Sequence, residues 1–535
     1  MIGRKSFLLI ISRYLTQVIG LIGVIVLAKL WSGYAVDALG IIAFAMSFLA
    51  LFNIISDLGF GQAHAKRVSE GKDLGTCIGT FAAIKIFLTI VMVTIIFIAL
   101  FIWKSINPGG FTDATTESVI HVFVLYYIFT SLSAIPIKTF IATRETVKYQ
   151  VPGIIGRASK VVLTIIVAVA GVSILSIYPV KWPGFLESVQ QFIAVHPVGS
   201  LAMTYVFDMI IVLLVGLWFL RKYPIKKPTW EMCKSYTSFA IPVMLLSVIA
   251  IISLNVDKIM IGYFWTSTEV GYYFSVQKIM EFITILSGSV ATLLFPTLSY
   301  FHSVKNYDKI NQTTRLSERY ISMIMIPPIV VIIVFVYPLI NIMLDKSFLP
   351  AAPVLLTLTV YAFIHGMDMP YKSLINGINR PGVGTKIGLI ACSLNIPLNY
   401  LFIPDNGLLS SFGINGPNGA AVATVLSTFV AFFAMRLSAR KITGIHILQS
   451  YTPRHIIAGF VMGFMLYLIA FKSSLFPAIH WYHLLIFSGL GLIIYISVLY
   501  VLKEFDKKDL QFFLYVLHPK EMVGYIKSEL KDEKS

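Results

Sequence analysis

Ionisable residues inside apolar segments are the part of this sequence that could do chemistry. Four cations fall deep within long apolar stretches of the N-terminal half: Arg13, Lys85, Arg157 and Lys160. Each would cost about 3 kcal/mol at the centre of a membrane helix facing lipid. Together they would cost on the order of 10 kcal/mol, which is comparable with the whole stability of a domain. We therefore predict that they line a wet cavity or contact an anionic partner such as a phosphate or pyrophosphate.

Few carboxylates in the N-terminal half can neutralise these cations, and the candidates are Asp57 and Asp208. In the C-terminal half acids accompany the cations, as in the pairs Asp257 with Lys258, Lys278 with Glu281, and Asp368 with Lys372. We include Lys278 among the predicted cavity residues. Coupling to a proton or sodium gradient would need an intramembrane carboxylate, for which Asp57, Asp208 and Glu281 are candidates. The favoured interpretation is that each balances a nearby cation.

Other polar residues in the apolar stretches have structural interpretations. Four cations lie within about two turns of a segment end, where long side chains can reach the membrane interface: Lys29, Lys138, Arg319 and Lys372. Asn395 and Asn399 share one helix face, and hydrogen bonding to neighbouring helices is the favoured role for them.

Composition decides the class of protein that must hold these residues. Of 535 residues, 57% are hydrophobic and 13% are charged, whereas a soluble domain carries about 25% charged residues. This balance excludes a soluble multidomain enzyme, a secreted disulfide scaffold and a nucleic-acid-binding module. The three cysteines have no metal-ligand spacing, so no metal site is predicted. The chain is predicted to be a polytopic membrane protein.

Apolar runs of about 20 residues are long enough to cross a bilayer as helices. We predict an all-α membrane protein with about fourteen transmembrane helices, at approximately 6–30, 38–58, 76–103, 118–142, 151–172, 200–220, 236–262, 270–298, 318–344, 352–376, 384–403, 417–437, 454–472 and 482–502. No small-residue cleavage site follows the first span, which we expect to remain as an anchor.

The distribution of lysine and arginine predicts the orientation of these spans. With a cytoplasmic N-terminus, about 27 cations fall in inner segments and 4 in outer ones. We therefore predict a plasma-membrane protein with both termini cytoplasmic. The net charge of +17 is then mainly an insertion signal, and no nucleic-acid partner is expected.

An internal repeat divides the chain. When Gly40 is set on Gly271, a helix end, a short outer loop and a new helix align in both halves. The prediction is an N-terminal lobe at 1–222, a cytoplasmic linker at 223–234, a C-terminal lobe at 235–441, two further helices within 442–502 and a cytoplasmic amphipathic tail at 503–535. Parallel six-helix repeats about an axis along the membrane normal are typical of transporters with a central cavity.

Several stretches carry a family resemblance that runs over most of the chain up to about residue 440. The stretches are ISDLGFGQAHAKRVSEGKD at Ile55–Asp73, DKIMIGYFWTSTEVGYYFSVQKI at Asp257–Ile279, LLFPTLS at Leu293–Ser299, LNIPLNYLFIP at Leu394–Pro404 and GPNGAAVATVLS at Gly416–Ser427. In this order they resemble the polysaccharide (Wzx-like) branch of the multidrug/oligosaccharidyl-lipid/polysaccharide (MOP) flippase superfamily.

The resemblance implies a transporter rather than an enzyme. It implies that a polyprenyl-(pyro)phosphate-linked oligosaccharide moves from the cytoplasmic to the outer leaflet through a cation-lined cavity. The four deep cations of the N-terminal half can be assigned to that cavity by position, although the motifs do not contain them. No cofactor is expected, and the chain has no G-x-x-x-x-G-K-[ST] phosphate loop for ATP. Expected partners are the lipid-linked substrate, membrane lipids and glycosyltransferases or a polymerase of the same pathway.

Three alternatives stay open. A lipid-linked peptidoglycan-precursor flippase would share all these features. A multidrug or cation antiporter of the same superfamily would need acids rather than cations in the N-terminal cavity. A membrane glycosyltransferase or polymerase would need a D-x-D motif or a large catalytic outer loop, and the sequence contains no D-x-D.

Overall fold

Helices are the regular elements of this computed structural model. It describes residues 2–106, 114–172, 182–446, 451–473 and 479–511, except 508 and 510. Within these ranges there is no strand, and thirteen helices are long and apolar enough to cross a membrane. A further helix of 22 residues, Pro381–Phe402, matches the eleventh predicted span. The predicted all-α membrane fold is confirmed.

The helices are numbered in chain order. The first nine are α1 (Ile2–Trp31), α2 (Gly33–Asp57), α3 (Phe60–Ser69), α4 (Leu74–Ile106), α5 (Ala114–Ala142), α6 (Thr146–Val172), α7 (Phe185–Val195), α8 (Pro197–Leu220) and α9 (Trp230–Phe264). The others are α10 (Ser267–Ser303), α11 (Tyr307–Val334), α12 (Val336–Met343), α13 (Ala352–Gly377), α14 (Pro381–Phe402), α15 (Gly416–Thr443), α16 (Tyr451–Tyr467) and α17 (Trp481–Val501).

The ninth predicted span, 318–344, is divided in the structure. Helix α11 ends at Val334 and α12 begins at Val336, with Phe335 between them. Pro338 explains the break, because its ring nitrogen has no hydrogen to donate to the carbonyl of Val334 and a continuous helix would bring the two into collision. The short helices α3 and α7 lie between spans and were not predicted.

The helices pack in two groups. Helices α1, α2, α4, α5, α6 and α8 contact one another in the N-terminal half, and α10, α11, α13, α14 and α15 do so in the C-terminal half. The groups meet where α2 crosses α9 and α10, while α16 and α17 pack on α11. The boundaries predicted for the lobes stay a prediction, and most of the predicted amphipathic tail at 503–535 lies outside the described residues.

Ion pairs fasten the last two helices to α11. Arg319 on α11 donates from Nε to Glu504 Oε1 and from Nη1 to Asp509 Oδ1, each at 2.8 Å. Arg454 on α16 also donates to Glu504, at 2.6 Å. Buried carboxylates that follow α17 thus bind the Arg319 guanidinium, and the expectation that this side chain reaches the interface stays a prediction.

The two ends of the bundle differ. We call the end formed by residues 57–74, 142–146 and 220–230 the basic end, because cationic loops gather there. At the opposite end the two halves are in close contact through Gly40 of α2 and Gly271 of α10. A Cβ on Gly40 would lie 1.7 Å from the carbonyl oxygen of Ser267, and a Cβ on Gly271 would lie 2.0 Å from that of Val36. The glycines aligned by the internal repeat thus lie at one helix crossing.

Two polar contacts join the halves at the opposite end as well. Thr268 of α10 donates to Asp37 of α2, and Lys29 of α1 donates to the carbonyl of Asn341 on α12, each at 2.5 Å. Lys29, which was expected to reach for the interface, thus contacts a carbonyl of the other half, and its position relative to the interface stays a prediction. The opposite end is closed in this conformation.

At the basic end, α3 connects the N-terminal half to the start of α9. The buried His64 ring stacks on Phe81 with centroids 4.4 Å apart. Its Nδ1 lies 2.8 Å from the Tyr236 hydroxyl of α9, and its Nε2 lies 3.0 Å from Thr139 Oγ1 of α5. One imidazole therefore joins four helices.

This contact should be sensitive to acid. Burial lowers the pKa of His64 from 6.5 to about 4, so the imidazole stays neutral in the folded chain while it charges in the unfolded one. The stabilisation is complete above pH 6.5 and is lost as the pH falls from 6.5 to 4, by up to about 3 kcal/mol. Thermal unfolding in detergent at pH 7.5 and 4.5 should show a larger acid-induced loss for the native chain than for His64→Gln. Equal losses would contradict this assignment.

Candidate functional site

A cavity of about 570 Å³ lies in the N-terminal half between α1, α5, α6 and α8, and Ile285 of α10 also lines it. This volume suits a ligand of drug size. Its polar lining consists of Thr16, Gln17, Thr130, Ser133, Lys138, Tyr149, Gln150, Arg157 and Asp208. Hydroxyl and amide groups thus surround two cations and one carboxylate.

The cavity runs from the basic end to the middle of the bundle. Along α6 the lining extends from Tyr149, near the start of the helix, to Arg157. That separation is about 12 Å at the rise of an α-helix. Because the opposite end is closed by the crossing of α2 and α10, a ligand would enter from the basic end and meet Arg157 at the inner limit.

Arg157 and Asp208 form the charged centre of the cavity. Arg157 Nη1 lies 3.4 Å from Asp208 Oδ2. The arginine side chain is 38% exposed, whereas the aspartate side chain is only 1% exposed. Gly156 provides the space, since a Cβ there would lie 2.4 Å from Asp208 Oδ1. The guanidinium thus presents a solvated surface to the cavity while a buried carboxylate lies behind it.

Lys138 is a second cation in the lining and was not predicted there. Its distance from the end of α5 suggested an interfacial side chain, but that distance does not show which way the helix face points. The sequence did contain a signal for the position of Lys138. Helical spacing places four residues on one face of α5: Thr130, Ser133, Ile137 and Lys138. A polar helix face inside a membrane protein indicates a wet surface.

The structure places Lys85 away from the cavity, contrary to expectation. The side chain is buried between α2 and α4, where Nζ donates to the Ser56 carbonyl at 2.7 Å and lies 3.7 Å from Asp57 Oδ1. The C-terminal end of a helix favours a cation. The last turn of α2 and Asp57 are therefore the partners of Lys85.

The other predicted cations have separate surroundings. Lys160 Nζ lies 3.2 Å from the centroid of the Tyr205 ring, a cation–π contact, and no carboxylate oxygen of the described residues lies within 4 Å. Lys278 pairs with Glu281 at 2.9 Å, as predicted, and neither lines the cavity. The Arg13 side chain lies outside the described part of the chain.

The three candidate coupling carboxylates therefore differ in position. Asp57 faces Lys85 and accepts from the Gly61 amide at 3.3 Å, and Glu281 is held by Lys278. Asp208 alone among them lines the cavity. Whether any of them couples transport to an ion gradient stays a prediction.

A buried polar cluster in the C-terminal half was only partly predicted. Asp257 accepts hydrogen bonds from Asn399 Nδ2, Thr424 Oγ1 and the Tyr273 hydroxyl, each at 2.7 Å. The helix-packing role predicted for Asn399 fits this contact. The predicted pairing of Asp257 with Lys258 is wrong, because adjacent residues on a helix do not face each other.

In the ranges described, no three histidine, cysteine or acidic side chains are grouped so that they could hold a metal ion. The oxygens of the Asp257 cluster are of the kind that hard cations prefer. However, the Asp257 carboxylate already accepts three hydrogen bonds from protein donors. Geometry alone therefore assigns no cation to this cluster.

The arrangement of the helices is similar to that of solved transporter structures. It is similar to the lipid II flippase MurJ in an inward closed conformation, with a TM-score of 0.67 and 16% identity over 92% of this chain and 98% of that one. It is also similar to an inward-facing multidrug resistance MATE family transporter of the MOP superfamily, with a TM-score of 0.58 and 15% identity over 80% and 94% of the two chains. The chain shares the fold of these two transporters.

Sequence similarity supports the polysaccharide branch. The family described as "Polysaccharide biosynthesis protein" matches residues 184–353. The probable low-salt glycan biosynthesis flippase Agl15 of Haloferax volcanii is 27% identical over 203 residues, which are 38% of this chain and 41% of the relative. The chain thus matches about two-fifths of that relative's length. The resemblance found in the sequence motifs is confirmed for this multi-pass membrane protein.

Proposed function

We propose that this chain is a flippase that moves a polyprenyl-(pyro)phosphate-linked glycan from the cytoplasmic leaflet to the outer leaflet for surface-glycan synthesis. The observation that carries the proposal is the partly exposed Arg157 guanidinium at the inner limit of a cavity whose lining extends toward the basic end. Guanidinium groups bind phosphate oxygens in a bidentate manner. The relative named as a probable low-salt glycan biosynthesis flippase supports a flippase role in glycan synthesis.

The remaining lining suits the sugar and the linkage. Lys138 adds a second positive charge nearer the basic end, where an extended headgroup would pass. Thr130, Ser133 and Gln150 offer hydroxyl and amide groups of the kind that bind sugar hydroxyls. The protein then binds and reorients the headgroup without making or breaking a covalent bond.

Alternating access completes the proposed mechanism. In the conformation described, the opposite end is closed and the cavity reaches the basic end, which the cation distribution predicts to be cytoplasmic. Rocking of the halves that separates the crossing of Gly40 and Gly271 would open the other side. A plasma-membrane location, cytoplasmic termini and glycosyltransferase partners belong to the same proposal.

A lipid-linked peptidoglycan precursor is the second candidate substrate, because MurJ, named as a lipid II flippase, matches over most of the chain. A cation antiporter is disfavoured, since Arg157 and Lys138 outnumber the single lining carboxylate Asp208.

Deletion of the gene should leave lipid-linked glycan on the cytoplasmic leaflet. We expect the intermediate to accumulate and the surface glycan to disappear, because no other step places the headgroup outside. Mass spectrometry of extracted lipids measures the accumulated intermediate and the loss of the surface glycan. Treating intact cells with a glycan-cleaving enzyme before extraction shows how much of the intermediate lies on the outer leaflet. A deletion strain with normal surface glycan and no accumulated intermediate would contradict the proposal, and accumulation of a peptidoglycan precursor would favour the second candidate.

A further inference from the structure

Asp208 has an unusual environment for a buried carboxylate. Its side chain is 1% exposed, yet neither oxygen accepts a hydrogen bond from any described residue. Buried polar atoms in proteins are nearly always hydrogen-bonded, so an exception needs an explanation. The nearest opposite charge is the Arg157 guanidinium at 3.4 Å, beyond good hydrogen-bond distance for a charged pair.

The groups that face Asp208 leave Arg157 as its main counter-ion. They are Arg157 and Lys160 on α6, Tyr126 on α5 and Tyr205 on its own helix α8. Lys160 lies against the Tyr205 ring rather than against the carboxylate. The negative charge of Asp208 is thus balanced mainly by the group that the proposed function assigns to the phosphate.

Asp208 and a bound phosphate would compete for the positive charge of the Arg157 guanidinium. A bidentate phosphate would occupy the exposed N–H groups of Arg157 and bring its negative charge close to Asp208. In a buried setting, a nearby like charge favours the protonated form of a carboxyl group. With no hydrogen-bond donor to stabilise the ionised form, Asp208 has only protonation as a means of losing its charge in place.

Resting on the proposed function, we infer that Asp208 takes up one proton when the anionic headgroup binds Arg157, and releases it when the headgroup leaves. The proton comes from hydronium or buffer acid of the solvent that reaches the cavity, so that one bond to hydrogen breaks in that acid and one O–H bond forms on the Asp208 carboxylate. Asp208 is thus an internal anion that holds Arg157 while the cavity is empty. Headgroup loading becomes coupled to proton binding at this residue.

The other candidate carboxylates do not meet these conditions. Asp57 keeps Lys85 and the Gly61 amide as partners, and Glu281 keeps Lys278 on its own helix. Neither contacts the cavity, so a bound headgroup would not displace their counter-ions. Glu281→Gln is therefore a matched control that removes a carboxylate without altering the Arg157 centre.

The test counts protons during binding by the full-length chain in detergent. The probe is a sugar diphosphate esterified with a farnesyl chain, which has no titratable phosphate proton near neutral pH. Isothermal titration in buffers of different ionisation enthalpy gives the protons bound for each headgroup. We expect about one for the native chain and for Glu281→Gln, and none for Asp208→Asn. Native binding should strengthen by up to about tenfold for each unit fall in pH, and Asp208→Asn should lose this dependence.

Each result has a distinct meaning. If the native chain binds the probe without taking up a proton, the inference is overturned while the proposed function stays intact. This measurement uses the native chain alone and does not depend on the folding of any variant. Uptake that persists in Asp208→Asn would overturn it as well. Failure of the native chain to bind the probe would contradict the proposed function, and the inference with it.

Discussion

Replacing Arg157 with glutamine is expected to reduce surface-glycan export by on the order of 100-fold or more while the amount of membrane-inserted protein stays normal. Hydrogen bonds to charged groups contribute about 1.5–3 kcal/mol each, and a bidentate contact between arginine and phosphate makes two of them. Here the change removes the group that would bind the phosphate and also leaves Asp208 without its counter-ion. Complementation of a deletion strain, with surface glycan and membrane protein measured together, checks the result.

Companion variants separate binding from stability. The double variant Arg157→Gln with Asp208→Asn removes the orphaned carboxylate and should remain inactive, whereas Arg157→Lys should retain part of the activity because a cation remains. Arg221→Gln is the matched control, since Arg221 lies at the basic end over the Trp218 ring and outside the cavity lining. Full export by Arg157→Gln at normal protein levels would contradict the role given to this residue.

Adding a methyl group at Gly40 is expected to disrupt the closed opposite end. The new Cβ would collide with the backbone of Ser267, which cannot move aside as a flexible side chain could. Overpacking typically costs 1–3 kcal/mol, which changes the ratio of two conformations by about 5- to 150-fold. Gly40→Ala should therefore shift the population away from the closed state and strongly impair transport.

Distances between the two halves check this shift. Spin labels at Tyr34 of α2 and Tyr263 of α9, both exposed near the opposite end, should move apart in Gly40→Ala once the three native cysteines are replaced. Gly20→Ala is the control, because a Cβ there meets nothing within 4 Å. An unchanged distance distribution with full transport would show that the close crossing has no role in gating.

The fold could be predicted because the membrane fixes the length and polarity of each spanning helix. Each predicted span coincides with a helix, and the exception in detail is the ninth span, interrupted at Phe335. The break depends on Pro338. Many membrane helices contain a proline and stay continuous, so the sequence alone did not predict the break. Hydropathy also gave no sign of α3, whose contacts with α5 and α9 hold it in place.

The candidate site could be predicted only in part. The energetic cost of a buried cation shows that it must have water or a partner, and it singled out Arg157, which lines the cavity in the structure and whose binding role stays a prediction. The same argument could not reveal that Lys85 finds its partners in Ser56 and Asp57, which come from the neighbouring helix α2. Lys138 was left out of the predicted cavity because proximity to a helix end does not determine the direction of a side chain.

The most direct measurement is translocation by the purified full-length chain in vesicles that contain a fluorescent polyprenyl-diphosphate-linked sugar. Loss of fluorescence to a membrane-impermeant quencher reports the fraction of headgroups on the outer surface over time. Native protein should bring the inner pool to the surface, whereas Arg157→Gln at equal reconstitution should match protein-free vesicles. If native protein and Arg157→Gln translocated the lipid at the same rate, the cationic cavity would not be the route of the headgroup.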